Sequence, residues 1–142
     1  MLAKGRVRLD RRTKNLVKRL RRNEIAIIDH DDIDEVAANS LIELKPQAII
    51  NVQPSITGRY PAKGAYKLLK AGIPILDEVG SVVFDEIKEG SQLEIRGNKV
   101  VQGKRCITMG RELSLEDVID KMKEGNDNAG QELERFVENT LE

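Results

Sequence analysis

The sequence predicts an α/β domain: a mixed sheet flanked by helices, with a further helical segment at the C-terminus. Two observations carry this. Short apolar runs rich in β-branched residues (24–28, 48–52, 73–76) alternate with segments of helical periodicity (33–44, 64–71), the pattern of a parallel sheet with crossover helices. The later strands instead follow one another directly. Residues 92–96, a Gly97-Asn98 turn and residues 99–102 read as a hairpin, and 105–109 as one more strand. A sheet built both ways is mixed rather than fully doubly wound.

The elements can be justified in order. Residues 5–9 alternate, with Val7 and Leu9 on one side and Arg6 and Arg8 on the other, as in a short edge strand. A helix is predicted over 11–22, where Leu16, Val17 and Leu20 share a face and Asp10 or Thr13 can cap the start. The run 24–28 is a buried strand, followed by the loop Asp29-His30-Asp31-Asp32. Ile33, Val36, Ala37, Leu41 and Leu44 recur at helical spacing, so 33–44 is a helix, capped by Asp31 or Asp32 and closed by Pro46. After strand 48–52, a polar loop over 54–61 leads into helix 64–71, with Ala65, Leu68 and Leu69 inward and Gly72 as its C-terminal cap. Strand 73–76 and one or two helical turns over 82–87 precede the hairpin. The end of the chain, 116–141, is helical, with a break expected at 124–130, where Gly125, Asn126, Asn128 and Gly130 crowd together. Ser114 with Asp117 resembles a capping box. The chain thus divides into a basic N-terminal arm (1–23), an α/β domain (24–113) and a C-terminal helical linker (114–142).

Composition narrows the class. At 39% apolar and 34% charged residues the chain is of globular type, and with 3% aromatics and no Trp its core must rest on Ile, Val, Leu and Ala. No apolar run reaches the roughly 20 residues of a membrane-spanning helix, and no signal-peptide core follows the charged start. A single cysteine, Cys106, excludes an internal disulfide and suits a reducing cytoplasm; it sits in an apolar run and is expected as a buried, inert thiol. Net charge is zero but unevenly spread. Residues 1–22 carry ten Lys or Arg and one acid, a net of +9, and the other 120 residues carry −9. Such asymmetry marks an interaction surface.

Four features are candidate sites. The loop Ser55-Ile56-Thr57-Gly58-Arg59-Tyr60-Pro61 lies where a strand ends and a helix begins, the end of a parallel sheet at which ligands are met. Ser55, Thr57, Gly58, Arg59 and Tyr60 can bind an anion or a partner there. They can equally form a turn bracketed by Pro54 and Pro61, with Arg59 pairing locally and Tyr60 plugging the core edge. The loop is no Walker motif, because neither the spaced glycine nor a Gly-Lys-Ser/Thr is present. No catalytic residue and no cofactor is expected of it. Asp29, His30, Asp31 and Asp32 form the second cluster, able to hold a divalent cation or simply to cap the following helix; the spacing fits no EF-hand. The basic arm, with Arg11, Arg12, Lys14, Lys18, Arg19, Arg21 and Arg22, suits contact with the acidic remainder or a second domain, an anionic membrane surface, or nucleic acid. No aromatics interleave to stack on bases, which makes nucleic acid the poorest fit. The fourth is the apolar stripe Leu133, Phe136, Val137 and Leu141, able to dock on this domain, join a second one or drive homodimerisation.

Two family resemblances rest on these residues. From 24 to 109 the order strand, helix, strand, polar loop into helix, Gly72-Ile73-Pro74, helix, Gly90 and hairpin resembles the swivelling β/β/α domain of the phosphohistidine type. Those domains carry a phosphate-accepting histidine at the start of the helix after the loop. Counting nine residues back from Gly72 gives Lys63, and neither loop nor helix holds a histidine, so the resemblance implies that fold without that chemistry. The segments LDRRTKNLVKRL, IAIIDHDDIDEVAA, SITGRYPAKGAYKLLKAGIPILDEVG and LERFVENTLE together resemble the N-terminal region of the SteA-like putative cytokinetic ring proteins. That family continues into a thiamin-pyrophosphokinase-like domain and a membrane anchor. The resemblance therefore implies a piece of a longer protein, cytoplasmic and membrane-tethered, that acts in bacterial cell division or separation through protein partners. It leaves open a regulatory or substrate-contributing role beside the kinase-like domain, and an independent anion- or nucleic-acid-binding module.

Overall fold

In the computed structural model, which describes residues 1–129, the elements run β1 (Leu2–Leu9), α1 (Thr13–Leu16), β2 (Ile25–Ile28), α2 (Glu35–Leu44), β3 (Ala48–Asn51), α3 (Gly64–Lys70), β4 (Ile75–Asp77), α4 (Val82–Glu86), β5 (Gln92–Arg96), β6 (Lys99–Gln102), β7 (Arg105–Met109), β8 (Arg111–Glu112) and α5 (Leu115–Ala129). The strands make one mixed sheet in the order β7-β6-β5-β1-β2-β3-β4-β8. Strands β1 to β4 are parallel; β5, β6 and β7 add antiparallel on one side and β8 on the other. The mixed α/β sheet flanked by helices that the element order predicts is the one observed.

Period-two alternation explains the layers. Every residue of β2 and β3 is buried. Ala26, Ile28, Ile49 and Ile75 face a core closed by Leu16, Leu41, Leu68, Val118 and Met122, so α1, α2, α3 and α5 cover that side. Ile25, Ile27, Ala48, Ile50 and Leu76 face a second core with Val83 and Ile87 of the α4 region and Leu93, Ile95 and Val100 of the hairpin. Strands covered on both faces read as continuous apolar runs, which is why β2 and β3 were visible in the sequence.

Several expectations need correction. The first strand is not an edge. It spans Leu2–Leu9 and pairs with β2 on one side and β5 on the other, so the basic arm is woven into the middle of the sheet. The helix expected over 11–22 is a single turn of α-helix, and Asp10 serves it by accepting the Arg12 N–H at 2.9 Å rather than by a helix cap. The cap of α2 is Asp34, which accepts from the Ala37 N–H at 2.8 Å, not Asp31 or Asp32. Val36 points outward, 77% exposed, and Tyr66 rather than Tyr60 fills the core. Helix α5 runs without a break through Gly125, Asn126 and Asn128. Cys106 is exposed, because β7 is the last strand of its edge. Strand β8 is too short to leave a sequence pattern. The stripe Leu133, Phe136, Val137 and Leu141 lies outside the described residues. No helix among the described residues is long and apolar enough to cross a membrane.

Candidate functional site

The carboxyl ends of β2, β3 and β4 converge on the 55–60 loop, and a buried polar network joins them. Asn51 closes β3 and is fully buried. Its Nδ2 donates to the His30 carbonyl at 2.8 Å and to Ser55 Oγ at 2.8 Å, while its Oδ1 accepts from the backbone N–H of His30 and of Gln53, each at 3.1 Å. Asp77 closes β4 and is 2% exposed. It accepts from Ser55 N–H at 2.9 Å and from Ser55 Oγ at 2.5 Å. Burial pushes the Asp77 carboxyl up to about 6, against the two Ser55 hydrogen bonds that favour its ionised form. Ser55 is therefore an internal strut, with donors and acceptors spent on Asn51 and Asp77.

Thr57 and Arg59 belong to a second layer. Asp32, 5% exposed and left-handed at φ 48°, turns its carboxylate onto Thr57. It accepts from Thr57 N–H at 2.8 Å and from Thr57 Oγ1 at 2.9 Å. Thr57 Oγ1 in turn accepts from Arg59 N–H at 3.1 Å. The Arg59 guanidinium is 74% exposed and approaches Asp31 at 3.8 Å, a contact of little energetic weight at such exposure. Tyr60 is half-exposed and its hydroxyl reaches the Asp32 carbonyl at 3.4 Å. Burial, reinforced by the carboxylates of Asp32, Asp31 and Asp34, pushes its phenol up, so it stays a protonated donor.

Helix α5 holds the loop from outside. Gly58 sits at φ +88°, and its carbonyl accepts from Asn128 Nδ2 at 3.0 Å. A Cβ on Gly125 would lie 2.4 Å from the Tyr60 carbonyl carbon, so a glycine is what lets helix and loop touch. The Gly- and Asn-rich stretch expected to break the helix is instead its contact with the loop.

The acidic cluster does not gather. Asp29 pairs with Arg11 at 3.0 Å, His30 Nδ1 with Thr13 Oγ1 at 2.9 Å, Asp31 with Arg59, and Asp32 with Thr57. Four side chains on one loop point to four partners, and no group of three or more His, Cys, Asp or Glu suited to a metal ion occurs among the described residues. Lys63, at the position the phosphohistidine resemblance singles out, approaches Glu35 at 3.4 Å.

The basic arm divides in two. Arg8 and Arg19 turn inward: Arg8 pairs with the buried Glu24 at 3.1 Å, and Arg19 with Glu89 at 2.8 Å and Asp10 at 3.2 Å. The Arg19 guanidinium holds Glu89 below the usual carboxylate range. Arg11 also lies 4.6 Å from the Phe84 ring centroid, a cation–π contact. By contrast Arg12, Lys14, Lys18, Arg21 and Arg22 form no ion pair with a described residue. Beside Arg12 and Lys14 opens a cleft of about 510 Å³ between the α1 turn and the first half of α2, with His30 and Asp29 in its wall.

Sequence reasoning found the loop and the arm but missed Asn51, Asp77 and the cleft. The signal for the first two was available: each is a polar residue closing a buried apolar run at the carboxyl end of a parallel strand.

No protein-family model matches the chain, and no curated protein matches it in sequence. Among solved structures, the chain is similar to the crystal structure of 3-isopropylmalate dehydratase (leuD) from Methanocaldococcus jannaschii, at a TM-score of 0.54 and 14% identity, over 92% of this chain and 100% of that one. At that identity the likeness is one of fold, and it establishes a mixed α/β architecture that the two chains share.

Proposed function

We propose that this chain is a recognition and assembly domain whose working face lies at the carboxyl ends of β2, β3 and β4. One observation carries the reading. The chemically able groups at this end of the sheet, Ser55 and Thr57 of the loop with Asp77 and Asp32, are turned onto one another, while Arg59 and Tyr60 are held out to solvent on that base. An aromatic ring and a guanidinium on a fixed platform are typical anchors of a protein interface. Together with the resemblance to SteA-like proteins, this suits a domain that meets a protein partner, or a second domain of the same chain, in a membrane-tethered division protein.

The reading is tested by Arg59→Glu with Tyr60→Ala in the full-length protein at its own locus. The expected outcome is an unchanged unfolding temperature of the purified chain together with defective cell separation. Normal separation in that strain, at wild-type protein level, contradicts it.

A further inference from the structure

We infer that the cleft between the α1 turn and the first half of α2 binds a phosphomonoester that carries an apolar substituent. The cleft, about 510 Å³, falls within the size range of small-molecule sites. Its charge is uneven in a way that the fold does not use. The two carboxylates of its wall are already committed: Asp29 to Arg11 at 3.0 Å, and Asp34 to the Ala37 N–H at 2.8 Å as the cap of α2. Arg12 and Lys14 line the same cleft and form no ion pair with a described residue. Two uncommitted cations one residue apart suit a compact anion with several acceptor oxygens. His30 is fixed in the wall by its Nδ1 contact with Thr13. When the Thr13 hydroxyl donates there, the ring proton stays on Nε2, which is then a further donor.

The second half of the inference rests on Val36. It is 77% exposed although it stands in an apolar helical pattern, and with Val17 and Ala37 it gives the cleft an apolar wall next to the cations. Inorganic phosphate would leave that wall wet. An alkyl phosphate, or the phosphate and first carbons of phosphatidic acid, would use both halves.

The experiment titrates the chain with hexyl phosphate, inorganic phosphate, and phosphatidylcholine vesicles with and without phosphatidic acid, following calorimetry and the His30 ring resonances. Hexyl phosphate should bind with a Kd of about 1 mM or tighter and shift the His30 signals, with inorganic phosphate at least about tenfold weaker. Arg12→Gln with Lys14→Gln should weaken hexyl phosphate by about tenfold or more, while the charge-matched control Lys99→Gln with Lys104→Gln leaves it unchanged. Val36→Ser should weaken hexyl phosphate severalfold and inorganic phosphate not at all. Binding to phosphatidic acid vesicles as well would place the ligand at a membrane, and binding to hexyl phosphate alone would make it a free metabolite; both support the site. No saturable binding of hexyl phosphate at about 10 mM, or binding indifferent to Arg12 and Lys14, would overturn it. The variants leave the 55–60 loop untouched, so this result and the one for the loop face can fail separately.

Discussion

Replacing Asp77 by Asn separates the two forces that act on the buried network. Burial pushes the folded carboxyl up to about 6 from the ordinary 3.8, because it outweighs two hydrogen bonds from Ser55. The unfolded chain releases this proton near 3.8, so between the two values the folded state holds the extra proton. The sign follows. This group's contribution favours folding fully below about pH 4 and is lost as the pH rises through about 6. The difference between 3.8 and about 6 corresponds to about 3 kcal/mol over that window. Asn does not titrate, so Asp77→Asn removes the pH-dependent part. The amide meets Ser55 as the protonated carboxyl does, with one oxygen to accept and one donor facing the second Ser55 donor. The variant should therefore be about as stable as wild type at pH 4 and more stable than it by about 3 kcal/mol at pH 7.5. Urea unfolding at pH 4, 5, 6 and 7.5 measures this directly, and every other titrating group cancels in the difference. Parallel pH profiles for the two proteins would refute the placement of a strained carboxylate at the end of β4.

Two further substitutions probe the loop. Gly125→Ala is a test of sign: in a frayed helix it would stabilise by up to about 1 kcal/mol, whereas at the contact with Tyr60 it should destabilise by about 1–3 kcal/mol and speed amide exchange over residues 58–60, since its Cβ would meet backbone at 2.4 Å. Thr57→Val removes a hydroxyl that donates to the nearly buried Asp32 and should cost about 1–3 kcal/mol in urea unfolding, with Thr57→Ser close to wild type; equal stability of the Val variant would show that the Asp32–Thr57 layer contributes nothing.

The parts of the fold that were legible in the sequence are those where one face decides everything. Strands β2 and β3 declare themselves because both of their faces are buried, and the β5–β6 hairpin because Gly97-Asn98 has the chemistry of its turn. What stayed hidden depends on long-range partners. Strand β1 looks like an edge, with arginines alternating along it. Yet Arg8 is absorbed by Glu24 at 3.1 Å and Glu89 at 3.8 Å, partners far along the chain that neutralise it in the middle of the sheet. Gly125 and Asn128 look like helix breakers until the loop that they accommodate is in place. The same holds for the site. Hydroxyls at 55 and 57 suggest a reactive loop, and only the positions of Asp77 and Asp32 reveal that both are engaged from within.

The central claim is that the face at the carboxyl ends of β2, β3 and β4 meets a partner through Arg59 and Tyr60. Photo-cross-linking in the living cell tests it most directly, with p-benzoylphenylalanine placed at position 60 of the full-length protein and, as control, at position 104 in the turn between β6 and β7. The account predicts one discrete cross-linked species from position 60 that disappears with Arg59→Glu and is absent from position 104. No species from position 60, or the same species from both positions, would contradict it.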